Sequence, residues 1–336
     1  MQLRNLTVRS RIGNGLAAIP SLGFKTLCLT IVCLTYGRAE AAQAPSYASQ
    51  VGYTSNTFSA NFSSSGVDLS NSKDPGYSWY LWNLFGKQTN PANVVLNSDG
   101  SVTLLGPPYM NGQLMTATPA KNSAGFVGTA FGGGAYIEAT FKFDPADVAR
   151  ANSKGWPSFW SMAFEASMRP GANQWTGQAP AYVHHIEVDF FEYLLLPYGA
   201  PQNAYGSSMH DWYGIYNNTC PPGLCQVGFE GNEGKRLAPG STDFTRYHRY
   251  GALWVPATPN TQGYIRFYFD GQPVGADHKW TQYTNQPPTN LKQQPWAFGI
   301  LDQQHLVLIL GTGANEPMTV QSVNVWQASA SQNLHN

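Results

Sequence analysis

Charged side chains are scarce: Asp, Glu, Lys and Arg together make up 11% of the 336 residues, against about 25% in an average soluble protein. That shortage excludes a coiled coil, a polyelectrolyte tail and a disordered solvating chain, which need dense charge or few aromatics. Basic and acidic residues balance at 19 each, so no basic footprint points to a nucleic-acid partner. Long apolar runs are missing too. Only twelve residues separate Lys25 from Arg38, too few to span about 30 Å of hydrocarbon. No window of a dozen residues keeps a helical apolar period, and no repeat of 20–50 residues suggests a solenoid or propeller. Cysteine is down to four residues.

What is present instead is aromatic and turn-forming. Aromatics reach 13%, with 34 Gly and 23 Pro. With so little charge, solubility rests on Asn, Gln, Ser and Thr. An aromatic-rich, amide-rich surface of this kind suits a neutral polyhydroxylated ligand, and carbohydrate is the first expectation.

The N-terminus has the layout of an export signal. Arg4, Arg9, Arg11 and Lys25 precede the apolar run Thr26–Leu34, and Ala39-Glu-Ala41 follows as an A-x-A exit. Cleavage after Ala41 is expected, with an uncleaved anchor as the alternative. The remaining chain carries 14 basic and 18 acidic residues, a net charge near −4. Cys28 and Cys33 leave with the leader. Cys220 and Cys225 stay, and in an oxidising compartment they are expected to close a small disulfide loop. The product would be secreted or periplasmic, without a stable membrane anchor.

Residues 42–57 are small and polar and read as a linker, and residues 328–336 as a tail. Between them stand short runs rich in Val, Ile, Phe, Tyr and Trp, separated by turn residues. Asp99-Gly100 and Asp270-Gly271 are hairpin signals. Pro145–Asn152 could make one or two helical turns. Many short strands in one compositional regime predict an all-β sandwich of two antiparallel sheets, with loops 168–181 and 195–208 rimming a binding face.

One segment breaks local rules. Val183-His-His-Ile-Glu-Val-Asp-Phe-Phe-Glu-Tyr-Leu194 places three acids in a strand, where acids are depleted. Alternation puts Glu187 and Asp189 on one face, while Glu192 should point the other way. A β-bulge near Phe190-Phe191 would return Glu192 to that face. The two glutamates would then stand about 13 Å apart at Cα, and their carboxyls about 5–6 Å apart, the spacing of a retaining glycosidase. Like charges this close should keep at least one carboxyl protonated near neutral pH. A calcium site or solvent-facing edge acids are the alternatives. Neither accounts for apolar partners with acids at offsets 0, 2 and 5.

Glu187-Val-Asp-Phe-Phe-Glu192 resembles the E-x-D-x-x-E signature of glycoside hydrolase family 16, in its laminarinase, agarase and κ-carrageenase branch. Gly155-Trp-Pro-Ser-Phe-Trp160, Ala135–Phe143, Tyr247–Trp254, Tyr268-Phe-Asp-Gly271 and Val323-Asn-Val-Trp-Gln327 resemble further landmarks in family order, over about residues 58–327. The resemblance implies a concanavalin-like β-jelly roll with a concave sugar cleft. It also implies Glu187 as nucleophile, Asp189 as assisting carboxylate and Glu192 as acid/base. His210 resembles the histidine beside this trio, and Trp156, Trp160 and Trp254 match positions near the sugar, with core packing the alternative for Trp254. His184, His185 and His248 read as packing or surface residues, and Trp79, Trp82, Trp175 and Trp212 are left open. Ile186 stands where members usually have a small residue, and Gln321 where many place a calcium-binding Asp. No metal or cofactor is therefore expected. The implied activity is endo-hydrolysis of a β-linked polysaccharide, most readily a β-1,3-glucan, by a monomer. Transglycosylation, another polysaccharide specificity or a non-catalytic lectin are the alternatives.

Overall fold

The computed structural model describes residues 42–84, 87–105, 112–121, 125–150, 155–168, 182–193, 201–215, 225–227, 235–283, 297–311 and 317–336. The expected leader, Cys220 and residues 169–181 of the first expected rim segment lie outside the described residues. No described helix is long and apolar enough to cross a membrane.

Alternating apolar positions build two large sheets. The front sheet runs in the order Cys225–Val227, Ala204–Ile215, Tyr182–Glu192, Ser158–Ala163, Leu306–Leu310, Leu114–Met115, Trp79–Leu81 and Val67–Asp68. The back sheet runs Gln272–Trp280, Gly263–Phe269, His248–Val255, Ala135–Lys142, Met318–Gln327, Val102–Leu104 and Val94–Leu96. Pairing is antiparallel throughout both, apart from Val67–Asp68 beside Trp79–Leu81. This is the expected jelly-roll sandwich.

Inward residues of both sheets meet in one core. Ile186, Val188 and Phe191 from the front face Phe141, Tyr250 and Phe267 from the back. Phe191 lies 4.9 Å from Phe141 and 4.4 Å from Tyr250 between ring centroids, so aromatic contacts tie the sheets together directly behind the acids. Each such buried ring is worth about 1.5–3 kcal/mol by area alone. The acidic strand is thereby clamped from behind.

Both hairpin signals hold. Asp270 and Gly271 adopt φ 48° and 80°, the paired left-handed values of a type I′ turn, with Phe269 opposite Gln272. Asp99-Gly100 turns between Val94–Leu96 and Val102–Leu104, with Asp99 Oδ1 accepting from the Ser101 amide at 3.0 Å. The expected helical turn is Pro145–Arg150. The second rim segment is shorter than expected, because the strand Ala204–Ile215 already begins at Ala204.

Two boundary expectations need correction. Residues 42–57 are not a linker. Tyr47 stacks on Tyr268 with centroids 4.2 Å apart, Ala48 is fully buried, Tyr53 donates to the Trp254 carbonyl at 2.9 Å, and Ser55–Ser59 pairs with Met318–Gln327. Residues 328–336 are not a free tail either: Leu334–His335 pairs with Phe126–Ala130. Small polar composition hid the few aromatics and edge hydrogen bonds that dock both segments.

A candidate active site on the acidic strand

The strand Tyr182–Glu192 sits between Ser158–Ala163 and Ala204–Ile215. Its core-facing Ile186, Val188 and Phe191 fix which way the other face looks. The bulge is present. On one side Trp160 pairs with Asp189 and Phe159 with Phe191, and on the other Ser208 pairs with Asp189 and Gly206 with Glu192. One residue more is spent on this strand than on either neighbour, and Glu192 returns to the face of Glu187 and Asp189. The Phe190 carbonyl at the bulge accepts from the Ser207 hydroxyl at 2.8 Å.

Neighbouring strands bring partners to each acid. His210 stands opposite Glu187, and its Nε2 lies 2.7 Å from Asp189 Oδ2. Trp156 donates Nε1–H to Glu192 Oε1 at 3.0 Å. Trp212 lies close enough to Glu187 to favour its ionised form, and Asp189 interacts electrostatically with both glutamates. Trp160 is half-buried beside Asp189, donates to the Gly311 carbonyl at 2.9 Å and leans on Trp82 at 5.7 Å. The expected trio, His210, Trp156 and Trp160 are thus brought together.

Trp254 is not among them. Its indole is fully buried between the sheets and donates to Asp302 Oδ1 at 3.0 Å. A ring with no exposed surface cannot stack on a sugar, so Trp254 belongs to the core, the alternative that was left open.

Of the three histidines expected to be structural, His184 packs in the interior with its Nε2 2.5 Å from Asp211 Oδ1, and His248 meets Asp270 at 2.7 Å on the back sheet. His185 differs. It shares the acids' side of the strand, with its ring nearly parallel to Trp212 at 6.4 Å and 12°. Parity along the strands already carried this signal, since 185 matches 187 and 189, and 212 matches 210. Ile186, in place of a small residue, is a fully buried core side chain, and Gln321 stands exposed on the back sheet.

Burial dominates the acidity of the trio. It pushes Glu187 up to about 7, the Glu192 charge adds to that rise, and His210, Trp212 and Asp189 oppose it. Asp189 is held well above the usual carboxylate range by burial and then by Glu187. Glu192 is raised well above it by burial and then by Asp189, against His210 and the Trp156 hydrogen bond. Burial also drops His185 to about 3, which favours its neutral ring. The array can therefore hold protons at neutral pH while Glu187, with most opposing contacts, gives one up.

Glu187, Asp189 and His210 also offer ligand atoms within 4.8 Å of one another, a spacing that could admit a cation. Here Asp189 Oδ2 lies 2.7 Å from His210 Nε2, so an ion would have to displace that contact.

No protein-family model and no curated protein matches this chain. Among solved structures it is similar to a variant of LamA from Zobellia galactanivorans, crystallised with laminaritriose and laminaritetraose. That match has 14% identity over 82% of this chain and 100% of the other, with a TM-score of 0.44. A pseudo beta-1,3-glucanase of Mycobacterium tuberculosis matches at 16% identity over 81% of this chain and 98% of its own, with a TM-score of 0.37. The Emp46p carbohydrate recognition domain matches at 9% identity over 74% of this chain and 88% of its own, with a TM-score of 0.35. Similarity this low carries neither a family nor an activity across. The chemistry has to come from this chain's own residues.

Proposed function

We propose that this protein is a retaining glycoside hydrolase that cleaves within a β-linked polysaccharide, and that the substrate is a neutral glucan of the β-1,3 type. The observation that carries the reading is the bulge at Phe190, which turns an alternating strand into a three-carboxyl array with His210 on its middle member. A surface with no chemical task would not bury three acids against one another at such cost in solvation.

In the first step, the Glu187 carboxylate attacks the anomeric carbon while the Glu192 carboxylic acid gives its proton to the departing glycosidic oxygen. The C–O bond to the leaving sugar breaks as the glycosyl–Glu187 ester forms. In the second, Glu192, now ionised, takes a proton from water, the water oxygen bonds the same carbon, and Glu187 is released. Asp189 lies between the two glutamates along the strand, and the bulge that returns Glu192 to their face supports the short carboxyl spacing of a retaining enzyme over a pair spread to seat water. Trp160 and Trp212 offer aromatic faces for pyranose rings. The β-1,3 preference rests on the family-16 resemblance, and an exported product on the leader-like N-terminus.

The test is Glu192→Ala with and without azide. The variant should lose far more rate on laminarin, whose leaving group needs a proton, than on an aryl β-glycoside. Azide should restore part of the aryl rate and yield a β-glycosyl azide. NMR of the first-formed wild-type product should show the β-anomer. An α-anomer, or sugar binding with no release of reducing ends from any β-glucan, would replace this reading with an inverting enzyme or a lectin.

A further inference from the structure

The ladder between Ser158–Ala163 and the acidic strand ends at the pair Met162–Glu187. After Ala163 the chain turns into the short helix Phe164–Ser167. The acidic strand continues as far back as Tyr182, so on that side the described ladder stops short of the backbone just before Glu187. The side chain of Gln304 takes the place of one. Its Nε2 donates to the His184 carbonyl at 3.0 Å, and its Oε1 accepts from the Ile186 amide at 3.1 Å. A single carboxamide thus makes the donor–acceptor pair that a neighbouring strand residue would make. Gln304 is 3% exposed and lies between the turn of 3-10 helix Ala297–Gln303 and the strand Leu306–Leu310, which is itself the next strand of the sheet.

The same stretch is stapled on its other side. The His184 ring reaches Asp211 across the interior at 2.5 Å, and neither side chain is exposed. Asp211 follows His210 directly, and the cross-strand pairs here are Ile186–Asp211 and Glu187–His210. Gln304 therefore holds the backbone one residue before Glu187, and His184–Asp211 ties that backbone to the residue after His210.

We infer that Gln304, together with the His184–Asp211 pair, is a positioning device that sets Glu187 for attack and keeps His210 on Asp189. The inference rests on the hydrolase reading for its kinetic consequence, but not for its structural one. None of the three residues reaches the substrate face. A shift of about 1 Å in a reacting group can cost about a hundredfold in rate, and without Gln304 this stretch is held on one side alone, through the ladder to Ala204–Ile215 and the His184–Asp211 pair.

The experiment uses the full chain and two variants, Gln304→Leu, which removes both hydrogen bonds, and Gln304→Glu, which keeps the acceptor for the Ile186 amide. Glu187 is labelled with 2-deoxy-2-fluoro-β-laminaribiosyl fluoride, in which fluoride leaves carbon 1 as the Glu187 oxygen bonds it. The labelling rate is read per folded molecule, laminarin affinity is measured alongside, and the His210 ring chemical shifts are read by NMR at one fixed pH. Labelling should slow about ten- to a hundredfold in Gln304→Leu and less in Gln304→Glu, with laminarin affinity within about twofold of wild type. The His210 ring resonances should shift in both variants. Wild-type labelling with unshifted His210 resonances, in whichever variant folds, overturns the inference. If wild type is neither labelled nor active while the His210 resonances still shift in the variants, the hydrolase reading fails and the positioning role stands.

Discussion

Glu187→Gln is expected to raise stability and abolish turnover together, and the stability gain should depend on pH in a defined sense. The Glu187 carboxyl ionises at about 7 in the folded chain against an ordinary 4.5. Its folded pKa is raised, so its contribution to stability is intact below about pH 4.5. It is lost progressively as pH climbs, and the loss is complete above about pH 7. A shift of that size is worth about 3 kcal/mol. Glutamine keeps the shape and has no proton to lose. Relief of Asp189 and Glu192 from a neighbouring charge acts in the same direction. At pH 8 the variant should therefore be more stable than wild type by about 3 kcal/mol, a rise of several degrees in Tm for a chain of this size. At pH 4 the two should coincide. Denaturant unfolding and calorimetry at pH 4, 6 and 8 measure this, with laminarin turnover as the parallel assay. Equal stability of the two proteins at pH 8 would refute the claim that burial of this acid is costly. Wild-type-like turnover would refute its role as nucleophile.

Trp156→Phe removes the 3.0 Å hydrogen bond that favours ionised Glu192. The Glu192 pKa should rise further, moving the alkaline limb of the pH profile of kcat/KM to higher pH, and an unmoved limb would count against Glu192 as the acid. Trp254→Phe leaves the half-buried Asp302 with the Trp280 and Ala257 donors alone. It should cost about 1–3 kcal/mol in denaturant unfolding and leave laminarin affinity unchanged. Lost affinity at unchanged stability would return this indole to the sugar site.

Much of the site was legible along the chain, because side-chain direction in a strand follows from covalent geometry. Acids at offsets 0 and 2 share a face in any extended segment, and an acid at offset 5 can join them only through an inserted residue. Both neighbouring registers show that residue at Phe190. The same parity puts His185 on the acids' side of the strand, while its meeting with Trp212 came from the cross-strand register. Turn chemistry at Asp99-Gly100 and Asp270-Gly271 was equally local, since left-handed backbone needs such residues wherever it occurs.

Only the tertiary structure could decide which face of a strand is buried when both carry apolar side chains. In His248–Val255 five consecutive residues are buried, and Trp254 falls inside because its partner, Asp302, arrives from 48 positions away. Tyr47 and Tyr53 dock residues 42–57 through partners more than 200 positions distant, and the Gln304 amide meets the acidic strand across about 120. Periodicity sets how side chains alternate within a segment. Which segment then lies against it, and so which polar groups find their partners, is settled when the two sheets close on each other.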